Sequence, residues 1–163
     1  MENYEKLNIK AKKSWFLGRF IFLVIIVSIL VVSKYLIFKN IKYHWTINLI
    51  IGIIILLQLL NTFLYPEIEY KQWKYLIDNE KFEFIEGIYF IKHTVVPIER
   101  IQHINVTQGP INRRLNLANI TINTAGGSFD IPNLEKSKAE ELSEFLRLKV
   151  SGNLKTELGE NNG

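Results

Sequence analysis

The chain has 163 residues, a formal net charge of +4 and no cysteine, which excludes disulfides, thiolate nucleophiles and cysteine metal sites. The charge is uneven: residues 1–66 carry eight Lys and Arg against two Asp and Glu, whereas residues 67–163 carry twelve against fourteen. The net charge of −2 after residue 66 argues against nucleic-acid binding, which needs a basic face to neutralise phosphates.

Two long apolar stretches occupy most of residues 15–66. The first, residues 15–38, contains an uncharged run between Arg19 and Lys34, and the second, residues 45–65, has no charged side chain. About 20 helical residues cross a hydrocarbon core of ~30 Å. The sequence therefore predicts a transmembrane helical hairpin.

The basic residues around these stretches predict an orientation. Lys and Arg are frequent in residues 1–14 and again soon after residue 66. The positive-inside rule then places residues 1–14 as a cytoplasmic tail, with both chain termini in the cytoplasm. Lys34, Lys39 and Lys42, around the short connection, act against this assignment.

Residues 67–150 have the pattern of an antiparallel β-domain. Apolar and polar residues alternate around Ile104 and again around Ile120, which is typical of half-buried strands, and helical spacing follows in residues 139–150. We predict an α+β fold, a partly open barrel of about six to seven strands closed by a C-terminal helix, with residues 151–163 disordered. The expected core includes Ile104, Val106, Ile120, Ile122 and Leu142.

Three connections are predicted as irregular or extended structure. Residues 65–73 are expected to be a short extended linker between the membrane and the domain. Residues 88–96 are expected to form one strand, ended by Pro97. Residues 112–116 are expected to be an exposed loop between two strands.

Several segments give a more specific match. Trp73, the segment YLIDNEKFEFIEGIYF and the segment VPIERIQHINVTQGPINRRLNLANITINTAGGSFDIPNL resemble the YdbS-like family of bacterial pleckstrin-homology (PH) domain membrane proteins. The resemblance covers roughly residues 15–150. It implies two transmembrane helices, a cytoplasmic PH-like domain, residence in a bacterial plasma membrane and association with a larger multi-domain relative. It implies no enzymatic activity.

One residue departs from the family pattern. The family usually has glycine before its Leu-Ala pair, where this chain has Asn116. Asparagine tolerates the left-handed backbone conformation better than other non-glycine residues, so we expect the turn to be preserved.

Motifs for catalysis are missing from the sequence. It has no glycine-rich phosphate loop, no GxSxG and no spaced metal-ligand set, and its three histidines are isolated. We therefore predict no enzymatic activity, no cofactor and no small-molecule substrate.

One polar cluster could carry a function, because arginine forks suit carboxylates and phosphates. Its side chains could contact anionic lipid headgroups or the acidic face of a partner. They could instead form internal ion pairs or cap loop carbonyls. The candidate residues are Arg100, Gln102, Gln108, Arg113 and Arg114.

Two functions remain open from the sequence. The first is a membrane-anchored interaction module that offers a sheet edge or a loop to another membrane protein. The second is a module that senses anionic lipid, which the net charge of −2 in residues 67–163 disfavours.

Overall fold

The structure is a computed structural model that describes residues 4–36 and 44–160. Two long helices are followed by strands and two further helices, which confirms the predicted fold class. The elements are β1 (Glu5–Lys6), α1 (Lys10–Leu36), α2 (His44–Gln72), β2 (Lys74–Ile77), β3 (Lys81–Glu86), β4 (Lys92–Pro97), a 3-10 turn (Ile98–Arg100), β5 (Ile101–Thr107), α3 (Pro110–Leu115), β6 (Leu117–Thr124), β7 (Gly127–Glu135) and α4 (Lys136–Glu160).

Helices α1 and α2 are both long and apolar enough to cross a membrane. They pack against each other, for example through Phe16 and Phe63, whose ring centroids are 5.4 Å apart. Most of their other large apolar side chains are exposed. Such exposure is typical of helices in a hydrocarbon solvent, because lipid tails are as apolar as the side chains that face them.

Both long helices extend beyond the predicted limits. Helix α2 continues through Pro66 to Gln72, and the Trp73 amide donates a hydrogen bond to the Glu69 carbonyl oxygen at 3.0 Å. The expected extended linker is therefore wrong. Ion pairs to α1 stabilise this last part of α2, with 2.7 Å between Lys12 and Glu67.

Residues 1–14, which we expected to be a cytoplasmic tail, include ordered elements that the sequence did not indicate. Strand β1 pairs antiparallel with β2, with Glu5 opposite Tyr75. Leu7 and Ala11 are buried in the core of the domain, and α1 already begins at Lys10. The sequence did not indicate this, because a two-residue strand has no recognisable period and only isolated apolar residues mark the contact.

Within the described residues, the strands form two antiparallel sheets, with the orders β1-β2-β3-β4 and β5-β6-β7. The core lies between them under α4 and contains Phe82, Phe84 and Ile131. As predicted, Ile120, Ile122 and Leu142 are buried; Ile104 is half-buried and Val106 is exposed, which corrects the expected core.

The path of the chain gives the domain two distinct ends. Strand β2 runs from the end of α2 away from the helices, and the antiparallel strand β3 runs back, so the β3–β4 turn lies near the helices. Strand β5 runs in the same direction as β3, and the helix that follows it, α3, contacts α1. We call this the proximal end. The 3-10 turn and the β6–β7 turn lie at the opposite, distal end.

Two further boundaries differ from the predictions. The expected strand over residues 88–96 begins only at Lys92, since residues 87–91 form the turn before β4. Helix α4 continues to Glu160, past residue 150, where a disordered segment was expected. Once a helix has nucleated, each added residue gains a hydrogen bond, and Leu154, Lys155 and Leu158 are good helix formers. Residues 161–163 lie outside the described residues.

Candidate functional site

The structure divides the predicted polar cluster into two groups. Arg100 and Gln102 lie at the distal end, whereas Gln108, Arg113 and Arg114 lie at the proximal end. The length of β5 separates them, about 20 Å at ~3.3 Å per residue. All five residues are exposed.

At the distal end, Arg100 and Gln102 line an open groove of about 470 Å³. Its other walls include Val95, Thr124 and Phe129. In the part of the chain that the structure describes, Arg100 forms no ion pair. Its charge is therefore available to a partner or to solvent.

At the proximal end, the predicted loop over residues 112–116 is wrong, because most of it belongs to helix α3. Pro110 stands at the start of α3, where a missing amide hydrogen costs nothing. Asn116 ends the helix with φ 57° and ψ 41°, so the expected left-handed conformation is confirmed. Gln108 has a role in the fold, since its Nε2 donates a hydrogen bond to the Leu117 carbonyl oxygen at 2.6 Å.

A buried polar network fixes α3 on α1. Ser14 Oγ donates to Asn112 Oδ1 at 2.5 Å, and Asn112 Nδ2 donates to Asn119 Oδ1 at 3.0 Å. The Asn133 backbone amide donates to the same Asn119 oxygen at 2.9 Å. The network joins a membrane helix to both β6 and β7, and the sequence did not suggest it because its members are far apart in the chain.

Arg113 and Arg114 are thereby held close to the membrane helix. Helix α3 contacts α1 at Gly18, where an added Cβ atom would lie 3.9 Å from Ile111 Cδ1. Gly18 directly precedes Arg19, after which the uncharged run begins. Within the described ranges, neither Arg113 nor Arg114 forms an ion pair. The arginine pair is an exposed positive charge beside the start of the apolar stretch.

A buried carboxylate on β3 has a structural role. Glu83 is 3% exposed; Lys81 pairs with its Oε1, while Tyr4 Oη donates to Oε2 at 2.7 Å and His93 Nε2 lies 3.0 Å from the same oxygen. The hydrogen bond from Lys81 and then that from Tyr4 lower the pKa of Glu83 to about 2, against the opposing effect of burial. The cluster attaches the N-terminal segment to the sheet.

The outer edge of β5 is a surface whose position in the fold the sequence did not indicate. Among the described residues, β5 pairs with β6 on one side and with no strand on the other. Helix α4 contacts β5, and residues of both elements line a groove of about 340 Å³. Ile104, Val106 and Val150 give the groove apolar walls, and Arg147 lies at its rim. Its geometry suits an extended peptide.

Ligands for a metal ion do not come together in the described ranges: no three His, Cys, Asp or Glu side chains are grouped there.

Comparisons with known proteins agree with this architecture. The sequence profile of a family described as "Bacterial PH domain" matches residues 9–150. The chain is 30% identical over 127 residues to UPF0699 transmembrane protein YdbS of Bacillus subtilis (strain 168), covering 76% of each chain. It is 27% identical over 97 residues to UPF0699 transmembrane protein YdbT of the same organism, covering 57% of this chain but 20% of that relative. No solved structure matches the chain.

The matched range begins one residue before α1 and ends inside α4, so it includes both apolar helices and nearly all of both sheets. The names of both relatives describe transmembrane proteins, which agrees with the exposed apolar side chains of α1 and α2. The chain is therefore a membrane protein that belongs to the bacterial PH domain family and resembles the YdbS-like members of that family.

Proposed function

We propose that this protein is a non-enzymatic, membrane-anchored interaction module that binds an extended segment of another membrane protein at the edge of β5. The unpaired edge of β5 beside α4 is the observation that carries the proposal. A peptide that adds a strand there gains main-chain hydrogen bonds, and the apolar groove accepts alternate side chains of the peptide.

The side chains of β5 support this use of the edge. Val106 is 39% exposed although it lies in a β-strand of a folded domain. Exposed sheet edges favour unwanted pairing, so proteins commonly protect them with charges, proline or bulges. Residues 103–107 of β5 contain no Lys, Arg, Asp, Glu or Pro. An edge of this composition suits pairing with a partner.

The partner that we propose is a larger relative with several PH-like domains in the same membrane. The similarity to YdbT supports this choice, because the matched 97 residues make up only 20% of that protein. Most of a relative of that kind lies outside the match and could supply the segment that reaches β5.

The test is co-purification in detergent of the tagged full-length protein with the YdbT-like relative from the same genome. We expect stoichiometric recovery with the parent. Val106→Lys should weaken binding by about tenfold or more, because a buried valine contributes ~1.5 kcal/mol or more.

Val95→Lys is the matched control, since Val95 is also an exposed valine, 49% accessible, on β4, an edge strand of the other sheet. It should bind like the parent. Equal binding by Val106→Lys and the parent, or no recovery of the relative with either protein, would contradict the proposal.

The second candidate function, sensing of anionic headgroups, is favoured by the arginine pair of α3. Arg113 and Arg114 lie beside the start of the α1 apolar run, where the negative surface potential of a membrane is felt. The full-length protein should then melt at a higher temperature in nanodiscs with anionic lipid than in zwitterionic ones. The gain should disappear at high salt and in a variant with alanine at both positions. An equal gain in that variant would rule out this function for the pair.

We also propose that α1 and α2 both cross the bilayer, with both chain termini in the cytoplasm. The lysines before the first apolar stretch and after the second support this orientation. Reporter fusions at residues 40 and 153 test it. A fusion at residue 153 that is active only outside the cytoplasm would reverse the orientation.

A further inference from the structure

The turn between β3 and β4 presents apolar side chains that the domain itself does not cover. We call residues 87–91 the aromatic turn. Tyr89, Phe90 and Ile91 are 77%, 89% and 69% exposed, in consecutive positions. Single exposed apolar residues are normal on a protein surface, but a contiguous group of this kind marks a surface that another apolar phase covers.

The aromatic turn lies against α2. Gln72 Nε2 donates a hydrogen bond to the Ile88 carbonyl oxygen at 3.3 Å. Further along the turn, the hydroxyls of Tyr89 and Tyr65 are hydrogen-bonded, and their rings meet edge to face with centroids 6.0 Å apart. Because Tyr65 precedes Gln72 by seven residues, the two contacts are about 10 Å apart along the helix axis. The turn therefore reaches from the end of α2 toward its apolar part.

The position of Tyr65 on α2 indicates how far the turn reaches along the helix toward its apolar part. It is the last residue of the charge-free stretch 45–65, and the Arg19 guanidinium lies 5.8 Å from its ring centroid. Tyrosine and arginine side chains at the end of an apolar span characterise the membrane–water interface. Tyr89 reaches the same level as Tyr65, so the exposed side chains beside it are at the depth of the lipid headgroups and upper acyl chains.

The backbone of the turn has a defined conformation. Gly87 has φ +127°, and a Cβ atom at that position would collide with the Phe90 carbonyl oxygen. Glycine is the residue that tolerates this conformation and this close approach. Strands β3 and β4, paired from Lys81–Pro97 to Glu86–Lys92, hold the turn at its base.

We propose that the aromatic turn inserts into the interfacial layer of the bilayer beside α2 and forms a membrane contact of the PH-like domain itself. Continuity with α2 identifies the occupant as lipid, because the turn contacts the flank of a helix whose neighbouring side chains also face lipid. Tyrosine suits this layer, since its ring is apolar and its hydroxyl is polar. Together with α1 and α2, the inserted turn would fix the tilt of the domain on the membrane.

The chain has no cysteine, so a single substitution gives one labelled site. Phe90→Cys carries a nitroxide label in the full-length protein, reconstituted in nanodiscs of phosphatidylethanolamine and phosphatidylglycerol without any partner protein. We expect the label to collide with oxygen, which concentrates in lipid, and to lose most of its collisions with a water-soluble nickel chelate. Ile91→Cys should behave in the same way and serves as the second site.

Ala125→Cys is the matched control, because Ala125 is also exposed in a turn but lies at the distal end. Its label should collide freely with the nickel chelate. Nickel accessibility at position 90 equal to that at position 125 would overturn the proposal and leave the turn in water. Protection of position 90 from both oxygen and nickel would also overturn it, because protein rather than lipid would then cover the turn.

Discussion

Replacing Asn112 by alanine tests how α3 is held on the membrane helix. The side chain accepts a hydrogen bond from Ser14 Oγ at 2.5 Å and donates one to Asn119 Oδ1 at 3.0 Å. In Asn112→Ala, the buried Ser14 hydroxyl loses its acceptor, at a cost of about 1–3 kcal/mol, and the second lost bond costs ~1 kcal/mol. Asn119 Oδ1 keeps the bond from the Asn133 amide. We expect the free energy of unfolding to fall by about 2–4 kcal/mol.

The assay is urea denaturation of the full-length protein in detergent micelles, followed by circular dichroism. Ser14→Ala and the double variant complete a mutant cycle. Because the two side chains share one bond, the double variant should lose less stability than the sum of the single losses, by ~1 kcal/mol.

Asn123→Ala is the matched control. Asn123 Oδ1 also accepts a bond from a serine, Ser128 Oγ, at 2.6 Å, but this bond is exposed to solvent. Its loss should change stability by no more than ~0.5 kcal/mol. If Asn112→Ala were as stable as Asn123→Ala, or if the cycle were additive, the network would not hold α3, and the apolar contact of Ile111 with α1 would have to do so.

Further predictions follow from burial and charge. Ile120→Asp should unfold the domain, because it places an unpaired charge in the core, whereas Val106→Asp at the exposed edge should not; equal melting curves would contradict our assignment of the sheet faces. Glu83 stabilises the fold above its unfolded pKa, 4.5, and loses this contribution as the pH falls toward its folded pKa of about 2. The melting temperatures of Glu83→Gln and the parent should therefore converge between pH 5 and pH 2, and a constant difference would refute this. Arg113→Ala and Arg114→Ala should leave the melting temperature in zwitterionic lipid nearly unchanged, because both side chains are exposed and form no ion pair within the described residues; large losses in both would make the pair structural.

The edge position of β5 explains the main error in the predicted core. Alternation shows that Ile104 and Val106 share one face of a strand, but it does not show how far the rest of the fold covers that face. Among the described residues, strand β5 is at the edge of its sheet, and α4 packs against part of it. Ile104 is therefore half-buried and Val106 is exposed. Ile120 and Ile122 have the same alternation in the central strand β6, where they are fully buried.

The five predicted site residues show a similar limit. The sequence selected exposed polar residues near bends, and all five are exposed. It placed them in one cluster because they are close in the chain. A β-strand carries the chain across the whole domain, so Gln102 and Gln108 are at opposite ends although six positions separate them. Their role in binding stays a prediction.

The sequence by itself determined the apolar helices, the order of the main strands and the left-handed turn at Asn116. These features depend on local quantities: the transfer free energy of a helix-length segment, the period of a strand and the backbone preference of one residue. The tertiary structure alone decided which strand is at an edge, that Leu7 belongs to the core, that Asn112 is buried beneath α1 and that Tyr89 meets Tyr65. Each of these depends on contacts between segments distant in the chain, and a local pattern carries no information about which distant segment will cover it.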